Sequence, residues 1–374
     1  MVDIAIAADQ SNAPDHLSKM GVLLLAGGEG SRLRFDGPKG CFPISVVQKK
    51  SLFQLFAERI VAASNRVGSA IPLAIMTSER NHLETTRFFE KRGRFGLDPE
   101  QISFFQQESY PLFDDQRRPF LEEPDKIAAG ANGNGKALHY LAKSGVLGEW
   151  KSRGIEHFTT LLVDNPLADP CDSRLLNFHI EQKAEVTLKC TVRTSPDEKV
   201  GIILSTPKGV RVVEYSEIEP ETPHSDYANL SLFCFTVDFA ERIAREVEEL
   251  PLHASRKAAL HLTEEGKTEL SASADYWKFE HFIFDLLPYS RKSVLLLYPR
   301  EEIFAPLKSA DGVEEVKKAL ERRDREQLAS ITGSPIELDE PIELDPAFYY
   351  PSDQLLEQWK GRAIDQGGYI TPQT

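Results

Sequence analysis

Two basic side chains, Arg32 and Lys39, flank a glycine turn in the stretch Leu23-Leu24-Leu25-Ala26-Gly27-Gly28-Glu29-Gly30-Ser31-Arg32-Leu33, which runs on to Pro38-Lys39-Gly40. An apolar run that ends in glycines leaves backbone N–H groups open to an anion, with no side chain in the way. Arg32 and Lys39 add mobile positive charge, and the combination suits a polyphosphate. On the glycines alone, an ordinary strand-to-loop turn with solvated Arg and Lys fits equally well. Pro38-Lys39-Gly40, a lysine presented between Pro and Gly, shifts the balance toward a nucleotide site. A dinucleotide fingerprint is disfavoured because its third glycine position is Leu33, and no G-x-x-x-x-G-K-[ST] run exists.

A second carrier of chemistry is Asp164, in Asp164-Asn165-Pro166 at the end of the apolar run His157–Val163. A carboxylate at the end of a buried strand is a candidate ligand for Mg²⁺, which takes oxygen ligands and keeps several waters. The plainer reading is an Asp-Asn turn or a helix cap. Gln106-Gln107 also stands at a strand end, after Ile102.

The elements that position these residues alternate. Leu23–Leu25 is a strand, and Ser51 to Val67 carries Leu52, Leu55, Phe56, Arg59, Ile60 and Ala63 at helical spacing behind a Ser51 cap. Ile71–Thr77 is a strand, Ser78–Lys91 a helix and Ile102–Gln107 a strand. Pro111 to Asn132 is irregular, Gly133-Asn134-Gly135-Lys136 closes it, and a helix runs to Trp150. Such alternation predicts an α/β fold with a doubly wound, mainly parallel sheet, in which ligands bind beyond the carboxyl ends of strands. From Glu185 the chain becomes strand-rich, with runs at 186–192, 200–204, 210–215 and 230–237 and a hairpin turn at Lys208-Gly209. Asp238–Leu250 and Asp275–Leu287 read as helices, Ser293–Tyr298 as a strand and Gly312–Leu328 as a charged helix. The repeat Pro335-Ile-Glu-Leu-Asp339 and Pro341-Ile-Glu-Leu-Asp345 predicts two short edge strands. Trp359 falls in a final helix, and the last ten residues are expected to fray. Residues 1–18 read as a loose N-terminal arm, 19–310 as the catalytic domain and 311–374 as a small C-terminal region.

The net charge of −14 argues against a nucleic-acid surface but not against a nucleotide pocket. No apolar run reaches the roughly 18–20 residues of a membrane span. The first twenty residues lack a basic stretch followed by a long apolar one, which argues against a secretory leader. Cys41, Cys171, Cys190 and Cys234 form no C-x-x-C pair, as expected of reduced thiols in a cytoplasmic protein.

Taken in order, the motifs resemble the eukaryotic-type UDP-N-acetylglucosamine pyrophosphorylases within the wider UDP-sugar pyrophosphorylase family. The resemblance runs from about Leu23 to about Gly312. It includes the glycine stretch with Pro38-Lys39-Gly40, Phe104-Phe105-Gln106-Gln107, Gly133-Asn134-Gly135 and Val163-Asp164-Asn165. It continues through Lys199-Val200-Gly201, Val213-Glu214-Tyr215-Ser216-Glu217-Ile218, Lys278-Phe279-Glu280, Phe282-Ile283-Phe284-Asp285 and Pro306-Leu307-Lys308. The resemblance implies a nucleotidyltransferase (GT-A-like) core that converts UTP and a sugar 1-phosphate, foremost N-acetylglucosamine 1-phosphate, to UDP-sugar and pyrophosphate. It implies UTP against Ala26, Gly27, Gly28 and Gly30, with Gln107 and Gly133 on the uracil. Arg32, Lys39 and Lys308 would hold the triphosphate and Asp164 the Mg²⁺, while Asn134, Gly201, Glu214 and Asn229 would hold the sugar phosphate. Glucose 1-phosphate or a broader sugar range is the alternative acceptor, and a non-catalytic UDP-sugar binding protein the alternative class. A monomer or homodimer, with no nucleic-acid or membrane partner, is expected.

Two stretches depart from the family pattern. Glycine commonly follows its Arg-Leu, and here that residue is Arg34. The acceptor segment commonly reads Asn-Ala-Gly-Asn, and here it is Asp226-Tyr227-Ala228-Asn229.

Overall fold

The computed structural model describes residues 4–11, 13, 16–207 and 209–373. Its centre is the strand Met20–Leu25, all six residues buried. It pairs in parallel with Leu73–Thr77 on one side and His157–Leu162 on the other. A strand covered on both faces reads as an unbroken apolar run, which is why 20–25 shows no alternation. Gly21 is part of this packing, since a Cβ there would meet the Trp150 ring at 3.0 Å.

The ten-stranded sheet is mixed and mainly parallel, as the alternation of elements predicts. Its order is Ile4–Ile6, Ser293–Leu297, Val186–Val192, Tyr227–Thr236, His157–Leu162, Met20–Leu25, Leu73–Thr77, Ile102–Gln106. Tyr227–Thr236 runs against both its neighbours. The hairpin Ile202–Thr206/Gly209–Val213 branches from it at the Ile202–Ala228 pair. Thr206 and Gly209 close that hairpin; Lys208 lies outside the described residues. Two large apolar clusters cover the two faces, one containing Phe53, Phe56 and Phe89 and the other Trp150, Phe158 and Phe235.

The helix Leu52–Val67 follows the expected spacing. The Ser51 side chain accepts from the Gln54 N–H, and Gly68 ends the helix at φ 65°. The expected helix to Trp150 is instead two short ones, Ala137–Lys143 and Val146–Ser152, broken at Gly145 with φ 85°. The helix expected over 275–287 is replaced by the strand Tyr276–Glu280, paired antiparallel with His253–Lys257, and a tight turn Ile283–Tyr289. The aromatic residues Tyr276, Trp277 and Phe279 favour the extended form once a partner strand is present. Within 111–132, short antiparallel pairs form: Ser109–Pro111 with Ala129–Ala131, and Leu121–Glu123 with Lys126–Ile127.

Both chain ends depart from expectation. Ile4–Ile6 of the supposed loose arm forms an edge strand, parallel to Ser293–Leu297; residues 1–3 lie outside the described residues. Of the two Pro-Ile-Glu-Leu-Asp units only the second is a strand, Ile342–Leu344, and its partner is Gly368–Ile370 in the stretch expected to fray. Leu328, Ile342, Phe348, Trp359 and Ile370 share a third apolar cluster beneath the helix Val313–Thr332. Glu343 of that strand is buried, and its Oε2 accepts from the N–H groups of Val47 and Gln48, both at 2.8 Å. Its counterpart in the first unit, Glu337, is exposed. Among the described residues no helix is long and apolar enough to cross a membrane.

Candidate functional site

Four neighbouring parallel strands end on one side of the sheet, and their carboxyl ends lead to Ala26-Gly27-Gly28, Ser78, Gln107 and Val163-Asp164. A cleft of ≈ 690 Å³ opens there. Its lining includes Gly27, Gly28, Lys39, Gln107, Gly133, Asn134 and Asp164 from the residues singled out in the sequence.

The glycine stretch folds back on itself. Gly30 N–H donates to the Gly37 carbonyl at 2.9 Å and Lys39 N–H to the Gly28 carbonyl at 3.2 Å. That return carries the buried Lys39 side chain under the loop, where Nζ lies 3.2 Å from Asp164 Oδ2. The three glycines differ in what they do. A Cβ on Gly27 would overlap the Gln107 carboxamide, so glycine is what lets that amide reach the loop. A Cβ on Gly28 would meet nothing within 4 Å, so its backbone is bare toward the cleft. Gly30 is buried against the Phe35 and Gly37 carbonyls and closes the loop rather than lining the cleft.

Asn81 was missed by sequence reasoning. It is buried, and its Nδ2 donates to the carbonyls of Ala26 (2.9 Å) and Gly28 (3.1 Å) while its Oδ1 accepts from Ser78 N–H at 2.8 Å. The loop therefore hangs from one asparagine amide. Ala26 lies buried behind the cleft wall at this anchor. Asn81-His82 at a helix entry carries no cue that the asparagine side chain turns back to a loop 55 residues earlier.

On the other wall, Asp164 stands on a turn held from two directions. Arg59, buried in the helix Leu52–Val67, donates from Nη1 to the Pro166 carbonyl at 2.6 Å. Asn165 donates from Nδ2 to Ile303 O at 2.7 Å and accepts from Ala305 N–H at 3.0 Å, and Leu307 N–H donates to Asp164 O at 2.7 Å. The Asp-Asn turn of the plainer reading is thus present, and it ties Asp164 to the segment that carries Lys308. Lys308 itself is exposed and lies outside the cleft lining, as does Arg32 on the exposed turn Ser31–Leu33. Arg34 is exposed too and takes the left-handed conformation, φ 53°. Such a backbone favours glycine, which accounts for glycine at this place in the family.

Gly133 and Gly135 approach the His281 backbone closely, with Gly133 at φ 84° and Gly135 N–H donating to His281 O at 2.9 Å. Asn134 Oδ1 accepts from Ile283 N–H at 3.0 Å, which leaves its Nδ2 for the cleft. Lys257, Lys278, Glu280, Arg80 and Glu122 complete the rim. Lys278 and Glu280 belong to a motif of the resemblance that implied no role for them; Lys257 and Glu122 come from short strands that the local pattern does not announce, and Arg80 from the turn before the helix His82–Lys91.

Gly201, Glu214 and Asn229 form a separate group outside the cleft lining. Asn229 N–H donates to Gly201 O at 2.8 Å, and a Cβ on Gly201 would lie 3.3 Å from Glu214 Oε2. Asn229 sits at a bulge, where the register with Val186–Val192 shifts and Ser231 takes φ 55°. Bulges re-aim side chains beside functional sites. Ala228, in place of the family's glycine, is fully buried and paired with Ile202 and Thr191. Burial pushes the Glu214 carboxyl above its ordinary range and Glu217 adds to the rise, while His253 and Lys308 oppose it.

Comparison with known proteins gives a family and a fold. Residues 2–237 match the family model described as UTP–glucose-1-phosphate uridylyltransferase. The chain is 35% identical over 317 residues to UDP-N-acetylglucosamine diphosphorylase 2 of Arabidopsis thaliana, an alignment covering 79% of this chain and 62% of that one. This chain therefore spans less than two thirds of that relative's length. A crystal structure of a Trypanosoma brucei uridine diphosphate N-acetylglucosamine pyrophosphorylase with an inhibitor overlaps 92% of this chain and 76% of its own, at TM-score 0.78 and 27% identity. An Entamoeba histolytica structure overlaps 95% of this chain and 92% of its own, at TM-score 0.82 and 26% identity.

Proposed function

The chain belongs to the UTP–glucose-1-phosphate uridylyltransferase family, and on that premise we propose that it transfers a uridylyl group from UTP to a sugar 1-phosphate, with N-acetylglucosamine 1-phosphate as the leading acceptor. The observation that carries the reading is the Lys39–Asp164 pair, a cation and a carboxylate meeting at 3.2 Å in a cleft walled by Gly27, Gly28 and Gln107. The acceptor choice rests on the Glu214 run and on what the Arabidopsis and Trypanosoma relatives are named for.

In this reading the Gln107 carboxamide and the Gly133 backbone hold the uracil, and the Ala26–Gly30 loop backs the nucleotide. The sugar phosphate, held by Asn134, Gly201, Glu214 and Asn229, attacks the α-phosphorus with a phosphate oxygen. The bond from that phosphorus to the bridging oxygen breaks, and pyrophosphate leaves with the electron pair. No protein nucleophile is required. The chain contributes position and charge: Lys39, with the exposed Arg32 and Lys308 from outside the cleft lining, offsets the charge that gathers on the leaving group.

Asp164 is the cleft carboxylate that meets Lys39, with Glu29, Glu122 and Glu280 elsewhere in the lining, and among the described residues no group of three or more His, Cys, Asp or Glu could hold a metal by itself. This donor set fits Mg²⁺, which is held by one or two carboxylates together with substrate phosphates. Asp164 would hold it, and when bound it would supply charge neutralisation at the phosphate oxygens. We also assign 19–310 to catalysis and 311–374 to a C-terminal region, supported by the separate apolar cluster around Trp359. A cytoplasmic monomer or homodimer completes the reading, supported by four free cysteines.

The test is pyrophosphate release from UTP over a panel of sugar 1-phosphates. Release with N-acetylglucosamine 1-phosphate is expected. Far faster turnover of glucose 1-phosphate overturns the acceptor, and UDP-sugar binding without any release overturns the enzyme.

A further inference from the structure

His253 lies between two carboxylates from different parts of the chain. Its Nδ1 is 2.6 Å from Glu217 Oε1 and its Nε2 is 2.8 Å from Asp285 Oδ2. A neutral imidazole has one N–H and would turn a lone pair toward one of the two carboxylates, so this geometry calls for the doubly protonated ring. The ring also packs on Phe282 and Phe284, centroids 4.7 and 5.8 Å away.

We propose that His253 is a positioning residue of the acceptor side, its imidazolium pinning the Glu214–Ile218 segment to the Phe282–Asp285 turn. Glu217 is three residues from Glu214, and Asp285 is two residues from Ile283, whose N–H is held by Asn134. The pin thus joins the two stretches that carry Glu214 and Asn134, and it rests on the acceptor reading given above.

The surrounding charges are few. Glu217 and Asp285 face the ring directly. Glu280, its register partner on the neighbouring strand, is paired with Lys278 at 2.9 Å. Glu214 feels His253 and Lys308 against Glu217. Burial works against a charged ring, but the hydrogen bonds to Asp285 and Glu217 carry His253 up to about 9. The pin therefore holds until pH rises through about 9, and its contribution to folding stability is full below about pH 6.5 and lost through about 9. Once the ring is neutral, Glu217 is unscreened beside Glu214 and the segment loses one of its two ties.

The experiment measures KM for the sugar 1-phosphate and for UTP from about pH 7 to 10, in the wild type, His253→Gln and Glu217→Gln. The imidazole resonances of His253 are followed over the same range without ligand. The wild-type KM for the sugar phosphate is expected to rise on the order of tenfold above about pH 9, with that for UTP flat. His253→Gln is expected to show the raised value at every pH. Glu217→Gln, a change at a partly exposed side chain, is expected to move the step to lower pH. A His253 that titrates near 6.5, or a His253→Gln enzyme with the wild-type KM and pH profile, overturns the proposal. Failure of the wild type to turn over any sugar 1-phosphate overturns the uridylyltransferase reading instead. The imidazole titration then decides the pin alone, near 9 in its favour and near 6.5 against it.

Discussion

Nζ of Lys39 lies 3.2 Å from Oδ2 of Asp164, joining a loop after one parallel strand to a turn after its neighbour. Both side chains are largely screened from solvent, at 9% and 20% exposure. The pair is a poor stabiliser in itself, since desolvation offsets much of its attraction. In the proposed reading its value is that it sets a cation and a carboxylate side by side in the cleft.

Lys39→Ala should therefore lower kcat by roughly 10²–10³, the loss seen when one preorganised charge is removed. Lys308→Ala should lower it as well, with circular dichroism unchanged in both. Wild-type rates in both variants would remove these lysines from catalysis.

Gly27→Ala should raise KM for UTP on the order of tenfold by displacing the Gln107 carboxamide, and leave KM for the sugar phosphate near its original value. Gly28→Ala fills open space in the protein itself. A drop in UTP affinity there reports close approach of the nucleotide to the backbone, and steady-state kinetics on both variants separates the two effects.

Asn81→Ala strips the donor from the Ala26 and Gly28 carbonyls. It should cost about 1–3 kcal/mol in urea unfolding and raise KM for UTP, because the loop loses its anchor. Unfolding curves and KM together test this, and a change in stability with an unchanged KM would confine Asn81 to the core.

Acid should unfold this protein partly through His157. Burial holds its imidazole down to about 4, from an ordinary 6.5. The folded state then binds fewer protons than the unfolded one, so stability is full above about pH 6.5 and falls as pH drops toward 4. The slope from one such group is about 1.4 kcal/mol per pH unit. His179, whose ring lies 5.1 Å away, is lowered by burial and by His157 and acts in the same direction. Unfolding free energies of the wild type and His157→Gln at pH 7 and 5 measure the difference, which should narrow in the variant.

That Gly27, Gly28, Gln107 and Asp164 share one cleft was legible because each part is local. The glycine stretch, Gln107 and Asp164 each follow an apolar run that forms a strand by itself, and the strand-end rule then brings them together. What escaped depends on distant partners. Ile4–Ile6 is a strand only because Ser293–Leu297 lies beside it. Tyr276–Glu280 was read as helix because its partner, His253–Lys257, is itself charged and irregular in pattern. Asn81, Arg59 and His253 are ordinary by type and spacing, and only the tertiary fold shows what their side chains hold. The two Pro-Ile-Glu-Leu-Asp units are alike as sequence, yet only Glu343 finds the Val47 and Gln48 N–H groups.

Tyr227–Thr236 runs against both of its main neighbours in the sheet, Val186–Val192 and His157–Leu162. Parallel strands deliver their last residues to the cleft side, whereas a reversed strand delivers its first, and so Asn229 arrives there near a strand's beginning. The hairpin with Gly201 branches from that same end. In the proposed reading, base recognition and acceptor recognition are consequently written on separate stretches of chain. On that reading, the bulge at 229–231 and its hairpin could be revised to admit another sugar while the glycine loop is left as it was.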